Sequence, residues 1–297
     1  MDEQKINKSP AAIIFIGIGA ILIMLNVLFD LDIKLRRPIW RALQTAAPIT
    51  SQKNSKEFIL PIRWGDLGVK MAASGVIDQE RFLSYYSQNL GLKAEAARLL
   101  SQTDEDNLKI NSENSGLILN LLWALGLGTK NSILEQGPMA DPAYGDAGGF
   151  ASTGGWTLSR GNPMDHYSMH PFILLSAEQQ EMVLRVSKNI YRPCCDNPTY
   201  FPDCNHGMAM LGLLELMASQ NASEDEMYRV ALAVNSFWFP EQYKNIARYL
   251  ESQGMALAST DPRIALGKEY SSGSGYRNVQ SKIPPAKPQP GGGGCGI

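Results

Sequence analysis

Hydrophobic and polar positions are most sharply segregated near the start of the chain. Residues 11–29 read AAIIFIGIGAILIMLNVLF, with no charge and one strongly polar residue, Asn26. At about 1.5 Å rise per residue a helix over this run reaches roughly 28 Å, close to the hydrocarbon thickness of a bilayer. Charged flanks and the terminal position favour a membrane anchor over a buried core helix. Asp30, Leu31, Asp32 and Ile33 come next with no small-x-small cleavage site, and Ala42, Ala46 and Ala47 lie too far downstream to form one, so the anchor is expected to stay on the chain. Lys34, Arg36, Arg37 and Arg41 after the run outnumber Lys5 and Lys8 before it, which leans slightly toward a cytoplasmic body. A short charged tail is also the form of a signal anchor that exports the domain behind it, so the sequence assigns no side.

Beyond the anchor the apolar spacing is helical. Asp66 to Gly75 has the outline of a short helix, and Asp78 is placed to cap a second, carrying Phe82, Tyr85 and Tyr86, with Gly91 as its stop. Residues 93–102, rich in Ala and Leu, make a third. Residues 114–126 are nearly all apolar but too short to cross a bilayer, which marks them as the central core helix. Ser176 with Gln179 and Ser223 with Glu226 match capping boxes, and Pro240 sits where a first-turn proline opens a helix. No strand alternation and no repeat stand out. The expected fold is all-α: an N-terminal single transmembrane helix, then a compact multi-helix domain with a long Gly/Pro-rich loop.

The expected organisation is an N-terminal tail at 1–10, the anchor at 11–29, a juxtamembrane spacer at 30–62, a helical globular domain at 63–270 and a disordered Pro/Gly-rich tail at 271–297. Residues 137–171 interrupt the helices with seven glycines and four prolines. Tyr144, Phe150, Trp156 and Tyr167 argue that this loop is ordered, and a long ordered loop is usually functional. Its glycines form no phosphate-loop pattern with a following Lys-Ser/Thr, so nucleotide binding has no support.

Composition adds little until the cysteines are placed. With 44% hydrophobic residues, 19% charged residues and net charge −2, the chain fits a globular body plus an apolar segment, and lacks the basic excess of a nucleic-acid binder. Four cysteines in 297 residues do not make a disulfide scaffold. Three of them, Cys194, Cys195 and Cys204, fall with His206 inside YRPCCDNPTYFPDCNHGMAM at 191–210, where Pro193, Pro198 and Pro202 keep the backbone out of a helix. Thiolate and imidazole are ligands of soft and borderline metals, and are equally the groups of thiol chemistry.

The other two histidines, His166 and His170, have an H-x3-H spacing between Pro163 and Pro171. If the glycine-rich loop folds back along the helix from residue 177, they join the cysteines around one ion. The expected metal set is therefore Cys194, Cys195, Cys204 and His206, with His166 and His170 next, holding copper or zinc. Met164, Met169, Met208 and Met210 are available thioethers that would favour copper. The expected function is a membrane-anchored helical domain that binds such an ion, its partner the membrane through residues 11–29. One alternative is a membrane-bound thiol redox or Cys-nucleophile enzyme, with Cys204 activated at a helix start and Asp203 or Asp196 orienting His206. Another is a structural anchor protein whose loop is stapled by a disulfide from Cys204 to Cys194 or Cys195. Cys295 is a lone thiol in the tail, and is not placed for prenylation.

Overall fold

A computed structural model describes residues 57–283, which lie within one compact unit, Gln52–Ile297. The expected anchor at 11–29, most of the expected spacer and Cys295 lie outside the described residues. Among residues 57–283 no helix is long and apolar enough to cross a membrane.

The chain opens with strand β1 (Glu57–Gly65), followed by helices α1 (Leu67–Ser74), α2 (Gln79–Tyr85) and α3 (Leu90–Ser101), then strand β2 (Asp104–Asn111). Helices α4 (Ser115–Gly128) and α5 (Ser132–Gln136) precede a run of short 3-10 turns through the glycine-rich segment. Helix α6 (Ala177–Ser187) leads into the cysteine loop. After it come α7 (Asn205–Ser219), α8 (Glu224–Trp238), α9 (Pro240–Ser252), α10 (Pro262–Leu266), α11 (Lys268–Ser271) and α12 (Gly273–Lys282).

The body is predominantly helical, and the sheet corrects the all-α expectation. β1 and β2 pair antiparallel, with Glu57 opposite Asn111 and Phe58 opposite Ile110. Leu60, Ile62 and Trp64 are buried at alternate positions of β1, which is the period-two pattern of a half-buried strand. Pro61 disguised it as spacer. The ladder register shifts between Ile59 and Arg63, the stretch that contains this donorless residue. Order also extends past the expected end of the domain: α12 occupies residues assigned to the disordered tail, and Val279 on it is buried. Gly91 does not stop a helix. It lies inside α3, which Asn89 caps by accepting from the Leu92 N–H.

The core is built on α4 and α7. Both are apolar on nearly every face, so neither is stable except wrapped by other elements. They approach closely at two glycines. A Cβ on Gly126 would collide with the Met208 carbonyl, and one on Gly212 would come within 2.5 Å of the Leu122 carbonyl. Helices α6 and α8 flank α7, and α1 covers α4. Each fully buried leucine in this layer contributes about 1.5–3 kcal/mol. The two predicted capping boxes form, at Ser176 with Gln179 and at Ser223 with Glu226.

The glycine-rich segment is packed down by its aromatics. Trp156 is buried, packs tilted against Trp123 with ring centres 4.8 Å apart, and donates its indole N–H to the Val76 carbonyl at 2.7 Å. Trp123 donates to the Ser152 carbonyl at 2.6 Å. One carboxyl lies in the helical core: Glu215 of α7 is fully buried and accepts from the Asn131 side-chain amide, while its Oε2 has no protein partner. Desolvation pushes the Glu215 pKa well above the ordinary carboxyl range, with the Asn131 bond opposing the rise.

Candidate metal and thiol site

The cysteine loop is short, proline-bound and tied at both ends. Thr199 donates to the Ile190 carbonyl and Tyr200 to the Ser187 carbonyl, at 2.8 and 3.0 Å, folding the loop back onto the end of α6. On the other side the start of α12 clasps it. Gly273 N–H reaches the Cys195 carbonyl at 2.8 Å, and Ser274 N–H reaches Asp196 Oδ1 at 2.6 Å. Cys204 is the N-cap residue of α7, in extended geometry, and its sulfur makes no cap bond.

This fold-back brings three sulfurs together. The Sγ atoms of Cys194, Cys195 and Cys204 all lie within 4.8 Å of one another. Cys194 and Cys195 stand 3.5 and 3.9 Å from Cys204, and all three are free thiols. Ligands held at about 2.3 Å from a tetrahedral ion stand about 3.8 Å apart, so the triangle has the size of three corners of such a site. His206 Nδ1 lies 4.0 Å from Cys194 Sγ but does not come within 4.8 Å of all three sulfurs. Its ring packs at 4.4 Å on Phe239 and at 5.8 Å on Trp238.

At the base of the triangle lies a residue that no sequence motif singles out. Arg192 is 1% exposed and directs its donors at the loop. Nε donates to Cys204 Sγ at 3.0 Å, one terminal nitrogen to the Asn197 carbonyl at 2.9 Å, and the other to the Phe201 carbonyl at 3.2 Å and to Asp203 Oδ1 at 2.7 Å. Gly207, in the first turn of α7, leaves room for the guanidinium: a Cβ there would lie 2.5 Å from Cζ. Asp203 also accepts from the Asn197 amide at 2.8 Å and from the Cys195 thiol at 3.7 Å. It therefore orients Arg192, and the expected pairing with His206 is not among its bonds. Asp196 receives Ser274 and Arg277 instead.

These neighbours divide the protons unequally. Bonds from Cys194 and then Cys195 hold the Cys204 thiol well below the usual range, helped by the Arg192 guanidinium and by His206, against the effect of burial. Cys194 is pushed up by its bonds with Cys195 and Cys204 and by desolvation. Cys195 is raised to about 11, the bond with Cys194 lowering it while Cys204 and burial raise it. Cys204 is thus the sulfur of the three most readily ionised, with two neighbouring thiols and the Arg192 N–H directed at it.

His166 and His170 are not in this group of mutually close ligand atoms. They face each other, with His166 Nδ1 and His170 Nε2 at 3.0 Å, while His166 Nε2 donates to the Arg160 carbonyl at 3.0 Å. Their H-x3-H spacing does bring the rings together, but through a 3-10 turn (Pro163–Asp165) and a left-handed Ser168, not along a helix. His170 then stacks at 4.9 Å on Phe172, and burial followed by the charge of His166 lowers its pKa. The thioethers are placed no better for ligation. Met208 and Met210 are buried in the core face of α7, and Met169 is exposed.

No family model matches the chain, and comparison with curated proteins and with solved structures gives no match.

Proposed function

We propose that this protein binds a soft or borderline metal ion through Cys194, Cys195 and Cys204, with His206 as the fourth ligand, on a helical body tethered to a membrane by residues 11–29. The observation that carries the reading is the sulfur triangle, whose edges suit a tetrahedral ion. Both nitrogens of His166 are engaged elsewhere, so the histidine pair is left out of the ligand set. Charge supports zinc over Cu(I). Three thiolates and Asp203 against Arg192 leave three negative charges, which a divalent ion reduces to one and a monovalent ion only to two. Of the thioethers that would have favoured copper, Met208 and Met210 are taken up by the core and Met169 is exposed. The Arg192 N–H on Cys204 and the Asp203 carboxylate behind it supply the outer hydrogen bonds that orient ligands and hold thiolate charge. With four protein ligands and no open position, the ion so held would act as a clamp on the loop.

A second reading is favoured by one observation: Cys204, whose thiol is held well below the usual range, lies 3.5 Å from the exposed Cys194. That pair suits thiol–disulfide exchange, with Cys204 as the attacking sulfur and Cys194 as its resolving partner. Elemental analysis of the purified protein, with a thiol count in denaturant, separates the readings. Stoichiometric metal with free thiols supports the metal site. Metal-free protein with one hyper-reactive cysteine replaces it with the thiol enzyme, and metal-free protein lacking two thiols replaces it with a disulfide staple.

A further inference from the structure

A second concave site lies where the end of α6 meets the start of α8 and the α10–α11 turn. It is a cavity of about 490 Å³ whose lining includes Arg185, Lys188, Glu224, Tyr228, Arg263 and Lys268. The local charge is unlike that of the chain, which carries a net −2. Two of the four cations are already neutralised. Arg185 lays Nε and a terminal nitrogen on Glu224 Oε2, at 3.0 and 2.9 Å. Arg263 pairs with Asp225 at 2.7 Å and with Asp261 at 3.5 Å, and its guanidinium stacks at 4.3 Å over the buried Tyr228 ring. Both forks are thereby held in fixed positions while keeping donors to spare.

The other two cations have no carboxylate partner among the described residues. Lys188 lies 5.0 Å from the centre of the Tyr200 ring, and Lys268 is exposed. Two lysines without a carboxylate partner in the lining of a cavity, together with two fixed guanidinium forks, match the charge and the oxygen array of one phosphate monoester dianion. We propose that this cavity binds a phosphorylated small molecule, with Lys188 and Lys268 supplying the charge and Arg185 and Arg263 the oriented donors. The site shares no ligand residue with the cysteine cluster and stands or falls independently of the metal reading.

The test is titration calorimetry on the full chain at physiological ionic strength. The probes are inorganic pyrophosphate, glycerol 3-phosphate and succinate. Saturable binding of a phosphate probe is expected, at least tenfold weaker in the double variant Lys188→Gln/Lys268→Gln. Both lysines are exposed, so the variant keeps its fold. The control Lys70→Gln/Lys93→Gln, away from the cavity, should bind as the wild type does. A preference for pyrophosphate assigns the site to a free di- or polyphosphate, and a preference for glycerol 3-phosphate to a phospholipid headgroup. Either supports the proposal. It is overturned by binding of neither phosphate, by succinate binding best, by unchanged affinity in the lysine variant, or by equal loss in the control.

Discussion

Replacing Arg192 by methionine tests whether the buried guanidinium is the keystone of the cysteine loop. The change keeps the apolar stem and removes every polar contact: Cys204 Sγ, the Asn197 and Phe201 carbonyls and Asp203 Oδ1. A buried acceptor stripped of its donor costs about 1–3 kcal/mol, and a broken buried ion pair about 3–5 kcal/mol. Asp203 is 21% exposed and can partly rehydrate, which lowers its share. The expected cost is about 3–5 kcal/mol, read by urea denaturation of reduced protein in chelator. A second substitution makes the reasoning specific. Gly207→Ala alone should destabilise by about 1–3 kcal/mol, because its methyl group meets the guanidinium. In the Arg192→Met background the same change should be neutral or stabilising by up to about 1 kcal/mol, as alanine is in an unobstructed helix. An Arg192→Met cost under about 1 kcal/mol, or an additive Gly207→Ala penalty in both backgrounds, refutes the account.

Further outcomes concern the metal, the buried carboxyl and the central helix pair. Cys204→Ser should abolish stoichiometric zinc, whereas the double change His166→Asn/His170→Asn should retain it, measured by elemental analysis after dialysis; zinc lost equally from both would restore the histidines to the ligand set. Because Cys194 and Cys195 hold their protons more tightly than a free thiol and must lose them to bind metal, apparent zinc affinity should rise between about pH 6 and 8, by up to about a hundredfold per unit, in a chelator-competition titration. A flat profile would mean that those sulfurs are not ligands. Glu215 is held protonated by burial, so the folded state keeps a proton that the unfolded chain releases above about 4.5. Its contribution to stability is fully present below that pH and is lost as pH rises toward the elevated folded value. Glu215→Gln should therefore gain stability relative to wild type across that window, and parallel pH–stability curves for the two proteins would contradict it. Gly126→Leu should cost about 3 kcal/mol or more by thermal melt, since α4 meets the Met208 carbonyl where that side chain would go.

What the sequence alone determined was local. The capping boxes at Ser176 and Ser223, the cap at Asp78, the all-round apolar runs of α4 and α7 and the proline-bound cysteine loop each rest on residues within a few positions of one another, where propensity and hydrogen-bonding chemistry act directly. The grouping of Cys194, Cys195 and Cys204 was legible for the same reason, because a short stretch broken by prolines must turn back on itself. Tertiary structure decided the rest. β1 and β2 become strands only by pairing with each other across three intervening helices; Pro61 masks the alternation of β1, and that of β2 is confined to Leu108 and Ile110. Arg192 becomes part of the site because its long side chain runs under the loop into space left by Gly207, a contact that no spacing rule encodes. His166 and His170 go to each other because the glycine-rich segment is packed down by Trp156 against Trp123 and Val76, a choice made by long-range burial of an aromatic ring.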